Sequence, residues 1–110
     1  DFAEKLTFDT ALMYTAVDRG QVDIITAYTS DGRIDAYNLK IIADPRNSLL
    51  PYDGMLIASA SAAKNPLFLE IVGGLVNRIS DETMREANRI VDVNGGSITD
   101  AVNYLRGMIR

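Results

Sequence analysis

Three apolar runs, VDIITA at 22–27, LKIIA at 39–43 and MLIASA at 55–60, are each bracketed by turn-forming residues. Runs so short and so apolar read as buried strands, because a helix needs about ten residues to bury one stripe and a strand covered on both faces needs only a handful. From Asn65 onward the period changes. Asn65 is placed to cap a helix, Pro66 suits its first position, and Leu67, Leu69, Ile71, Val72, Leu75, Val76 and Ile79 supply an apolar face. Ser80 and Asp81 open a second helix that runs to about Val91. Ser97 opens a third, with Asp100 spaced for a capping box. Ahead of the first run, residues 8–17 have apolar side chains at helical spacing and stop near Gly20. The expected fold class is therefore α/β, with short strands followed by a helical C-terminal tail. Three strands are few for a self-sufficient sheet and the opening helix precedes them all, so the chain reads as part of a larger fold.

Composition excludes several kinds of function. With 110 residues, 47% of them hydrophobic, the chain has enough apolar mass for one core. No apolar stretch approaches the ~20 residues needed to cross a bilayer. Asp1, Phe2, Ala3, Glu4 and Lys5 do not form the basic start and apolar run of a secretion signal. The absence of cysteine removes disulfides, thiolate catalysis and cysteine-bound zinc, and the absence of histidine removes the commonest general base and metal ligand. No pair of carboxylates, lysines or serines sits at a recognisable catalytic spacing, so the chain does not read as an enzyme. A net charge of −4 with dispersed lysines and arginines gives no nucleic-acid footprint and favours a cationic ligand. Gly95-Gly96 lacks the strand and third spaced glycine of a phosphate loop, and no cofactor or metal site is expected.

The stretches GQVDIITAYTSDGRIDAYNLKIIADP, LLPYDG and NPLFLEIVGGLVNRISDETMREANRIVDVNGGSITDAVNYL carry a resemblance. Its strongest elements are Ala27-Tyr28-x-x-Asp31-Gly32-Arg33-Ile34, the Pro51-Tyr52 turn, and Ile79-Ser80-Asp81-Glu82-x-Met84 leading to Asn88 and Val91-Asp92-Val93-x-Gly95. From about Tyr14 to Leu105 the chain resembles the C-terminal part of the substrate-binding proteins of glycine betaine/carnitine/choline ABC transporters. It departs from them at Leu49, Leu50 and Asp53, which flank the Pro-Tyr turn. The resemblance implies part of a two-lobed, type II periplasmic-binding-protein-like fold. Residues 1–27 would end one lobe, 28–34 would cross the hinge, and 35–110 would form the C-terminal part of the other. It also implies an extracytoplasmic protein, lipid-anchored or fused to its permease, that captures a quaternary ammonium osmoprotectant and hands it to an ABC permease.

The family pattern puts Tyr28 and Tyr52, 24 positions apart, in an aromatic cage, and physical chemistry supports that choice. A quaternary ammonium has no N–H to donate, and the negative faces of aromatic rings attract it. A side chain at the end of a strand is aimed at the cleft where ligands collect in open α/β sheets. Thr29 and Asp31 are further ligand-binding candidates. Asp31-Gly32 is also a turn signal, and Arg33 is read as a hinge ion-pair partner ahead of a ligand-carboxylate anchor. Tyr14, Tyr37 and Tyr104 are read as packing residues, Asp81 and Glu82 as complements to a helix dipole, and Gly73-Gly74 as a close-packing site. The competing reading is a helical interaction module without a small ligand, signalled by an exposed apolar patch around 67–76. Incomplete strand edges around Ile24, Ile25, Ile41 and Ile57 predict self-association of the isolated chain.

Overall fold

A computed structural model describes residues 3–50 and 52–109. The order is α1 (Thr10–Asp18), α2 (Arg33–Ala36), a 3-10 turn (Ala62–Lys64), α3 (Pro66–Gly73), α4 (Asp81–Asp92) and α5 (Ile98–Met108). Helix starts follow the capping chemistry of the sequence. The Asp9 carboxylate accepts from the Ala11 N–H, Asn65 from Phe68, and Ser80 from Thr83. Ser97 and Asp100 form a reciprocal capping box at α5.

The expected α/β fold with type II binding-protein strands does not form. Among the described residues there is no strand, and residues 22–27, 39–43 and 55–58 run without assigned secondary structure. No backbone hydrogen bond joins these three segments to one another among those residues. The physical reason is that a strand exists only by sharing a ladder. β-Branched and apolar composition makes a segment fit for a sheet, yet it stays irregular when nothing is aligned beside it. The helical tail is also shorter in one place than its pattern suggests. Helix α3 stops at Gly73, and Asn77 turns the chain with φ 58°. Gly73 has open space where a side chain would stand and Gly74 sits against the carbonyls of its own last turn, so the glycine pair ends a helix and is not a seat for a neighbouring element.

What packs is α4 against α5 and α4 against the segment around α2. Gly95, at φ 70°, reverses the chain between α4 and α5. Among the described residues the buried apolar side chains are Tyr14, Ala16, Ile34, Ala87 and Ala101, a core made largely of small side chains. Ile24, Ile42, Leu56, Ile57, Leu67 and Ile71 are exposed. Among the described residues no helix is long and apolar enough to cross a membrane.

Candidate functional site

The turn after residue 27 is built from its own hydrogen bonds outward. The Asp31 N–H donates to the Tyr28 carbonyl at 3.0 Å, and the Ile34 N–H donates to the Asp31 carbonyl at 3.1 Å, which starts α2. Asp31 accepts from the Arg33 backbone N–H at 3.0 Å and holds the Arg33 guanidinium through two bonds, Nε to Oδ1 at 3.0 Å and Nη2 to Oδ2 at 2.8 Å. Burial works against the Asp31 charge, but the side-chain and backbone hydrogen bonds from Arg33 outweigh it and hold the carboxyl below its ordinary range. The other face of the Arg33 guanidinium lies 4.4 Å from the centroid of the Tyr14 ring, which also stacks with Tyr37 at 6.3 Å. The Tyr14 hydroxyl is buried beside the Asp31 carboxylate without reaching hydrogen-bond geometry. Burial first, and then that neighbouring carboxylate, push its ionisation well above the usual phenol range.

This turn begins at Tyr28. Its ring meets that of Tyr52, with centroids 5.3 Å apart and planes tilted by 47°. Tyr52 follows a loop in which the Asp44 carboxylate accepts from the Leu49 N–H at 2.7 Å and Asn47 takes φ 49°. Pro51, part of the Pro-Tyr turn read from the sequence, lies outside the described residues. Both rings are exposed, Tyr28 by 57% and Tyr52 by 81%. At 5.3 Å the rings are too close to sandwich a trimethylammonium group between them. They instead present two adjoining, exposed rings.

The four candidate residues fare differently. Tyr28 and Tyr52 come together. The Thr29 hydroxyl donates to Asp81 Oδ2 at 2.5 Å, and Asp31 is occupied by Arg33, so both polar side chains have protein partners. Sequence reasoning missed Arg85 and Asn88. Arg85 Nε donates to the Thr29 carbonyl at 2.7 Å, and Asn88 Nδ2 donates to the Ser30 carbonyl at 2.8 Å. A signal for them existed: Asp81, Arg85 and Asn88 recur at helical spacing along one face of α4, a polar stripe aimed at a single partner. A hollow of about 740 Å³ between residues 3–8 and 21–26, lined by Leu6, Phe8, Met13 and Ile24 among others, touches neither tyrosine. Its lining mixes these apolar side chains with Glu4, Lys5, Gln21 and Asp23 beside an unpaired segment, and none of the motif tyrosines faces it, so the ring pair is the better candidate. Among the described residues no acidic cluster gathers that could hold a metal ion.

Comparison with known proteins gives a consistent result. The family described as "Substrate binding domain of ABC-type glycine betaine transport system" matches residues 2–105. The chain is 32% identical over 93 residues to the "Carnitine transport binding protein OpuCC" of Listeria monocytogenes, covering 84% of this chain and 30% of that protein. It is 28% identical over 86 residues to the "Glycine-betaine-binding protein" of Pseudomonas aeruginosa, covering 77% of this chain and 28% of that one. It is 29% identical over 86 residues to the "Ergothioneine transport permease/ergothioneine binding protein EgtU" of Helicobacter pylori, covering 77% of this chain and 16% of that one. The chain thus spans less than a third of the length of these relatives. No solved structure matches it significantly.

Proposed function

Because this chain belongs to the substrate-binding domains of ABC-type glycine betaine transport systems, a family of binding proteins rather than enzymes, we propose that it contributes the C-terminal part of a quaternary ammonium site. The protein captures glycine betaine, choline or carnitine outside the cytoplasm and presents it to an ABC permease. Tyr28 and Tyr52 form two walls of an aromatic cage, and residues 28–34 connect the two parts of the clamp.

The observation that carries this reading is the ring pair, two tyrosines distant in sequence with centroids 5.3 Å apart and both side chains exposed. The ligands in the relatives' names fit it. Carnitine, glycine betaine and ergothioneine all carry a trimethylammonium group with a carboxylate, so a surface that reads the methylated cation serves each of them. Such a cation gives up little hydration on entering an aromatic site and gains about 0.5–2 kcal/mol per ring, more as the site dries. Thr29 and Asp31 support the turn from below, each engaged by a protein partner. The exposed apolar side chains of α3, including Leu67 and Ile71, are the feature the alternative of a protein-interaction module would use.

Calorimetric titration with choline and glycine betaine tests the reading, in a binding protein of full family length that contains this sequence. Tyr28→Ala and Tyr52→Ala are each expected to weaken binding by ~1–2 kcal/mol, and Phe at either position restores most of it because the ring face does the binding. Tyr→Phe as costly as Tyr→Ala at both sites would sink the cation–π account. An interaction module predicts no heat with either ligand.

A further inference from the structure

Tyr28 is more than half exposed, so packing does little to fix its ring, and its direction is set by the backbone that carries it. The next two carbonyls, of Thr29 and Ser30, accept no backbone hydrogen bond among the described residues. Each accepts instead from a side chain of α4, Thr29 from Arg85 Nε at 2.7 Å and Ser30 from Asn88 Nδ2 at 2.8 Å. The two donors stand three positions apart on one helix face. Arg85 is further steadied by Asp35, 3.8 Å from Nη1. Gly32 brings the turn against the backbone of α4 at Arg89. A short turn is thereby held by a rigid twelve-residue helix.

We propose that Asn88 and Arg85 are positioning residues for ligand capture: by holding the Ser30 and Thr29 carbonyls they keep the turn in the one conformation that sets the Tyr28 ring against Tyr52. The proposal rests on the ring-pair reading above. Its physical basis is preorganisation. A turn already ordered in the free protein has no ordering entropy left to lose when the ligand arrives, so the cation–π gain appears in full as affinity. Removing the Asn88 donor leaves the Ser30 carbonyl without its partner and the turn free to sample other directions.

The test is a double-mutant cycle on a binding protein of full family length that contains this sequence, with choline as the probe. Asn88→Asp keeps the side-chain shape and replaces the donor by an acceptor facing the Ser30 carbonyl. Asn88→Ala is the second variant, and thermal unfolding confirms that each one folds. Either change is expected to raise the choline Kd about tenfold when Tyr28 is present. It should raise Kd by less than about twofold when residue 28 is alanine, because the effect travels through that ring. Arg85→Lys, which retains a cationic donor, should fall between Arg85→Ala and the unaltered protein. Equal losses in both backgrounds, or no loss from either Asn88 variant, overturn the proposal while leaving the ring pair standing. Unchanged binding by Tyr28→Ala itself overturns the ring-pair reading and this proposal with it.

Discussion

A β-carbon on Gly32 would collide with the backbone nitrogen and Cα of Arg89. Backbone cannot swing aside as a side-chain tip can, so Gly32→Ala is expected to destabilise the chain by about 3 kcal/mol, read from urea unfolding. An unchanged midpoint would mean that α4 does not seat on this turn. The sequence suggested glycine here for turn geometry, but Gly32 has an ordinary φ of −63°, and what it supplies is room. Asp31 beside it gives a pH dependence. Burial works against its charge, but the hydrogen bonds from Arg33 hold its carboxyl below the ordinary aspartate range in the folded chain, so its pairing with Arg33 stabilises fully above the unfolded value and is lost as pH falls through the folded one. The stability gap between the unaltered chain and Asp31→Asn should hold steady above about pH 5 and close as pH drops below about 4. A gap that widens on acidification would contradict the pairing. At this scale the ring pair was legible because Tyr28 and Tyr52 sit in motifs that name them. Arg85 and Asn88 were visible only as part of a polar stripe, Asn88 also within the family pattern, and their role was hidden because a polar helix face looks solvated until its partner is known.

Helices and would-be strands differ in how far local sequence determines them. Asp9, Asn65, Ser80 and Ser97 each cap within three residues of themselves, so helix starts are written in neighbouring positions. The runs at 22–27, 39–43 and 55–60 carry strand composition with equal clarity, but pairing is a long-range property that no run contains. Hydrogen exchange distinguishes the two. Amides of α4 and α5, which pack on each other, should exchange slowest, and those of 22–27 and 39–43 should exchange almost as fast as in an unstructured peptide. Protection across 22–27 would show that a ladder forms after all.

The accessible surface of the whole molecule is 9252 Å², where a compact chain of 12.0 kDa would expose about 6,000 Å². Its radius of gyration, 17.4 Å, compares with about 13 Å for a compact chain of this length. Surface of that extent, with Ile42, Leu56, Ile57 and Leu67 on it, is expected to drive the isolated chain to associate, and sedimentation velocity at rising concentration should show species larger than a monomer. The isolated chain should also bind choline no better than about millimolar, near −4 kcal/mol, because two adjoining rings leave most of a small cation in water. A strictly monomeric chain with micromolar affinity would contradict both expectations. The buried Tyr14 phenol gives such experiments an internal optical probe. With no tryptophan among its 110 residues and only five tyrosines, the chain's near-ultraviolet signal comes chiefly from phenols. Tyr14, carried by α1 and covered by the Arg33 guanidinium, is held by burial above the usual phenol range while α1 stays docked. Its alkaline absorbance change therefore reports, without any label, the moment at which the first helix lets go of the turn that carries Tyr28.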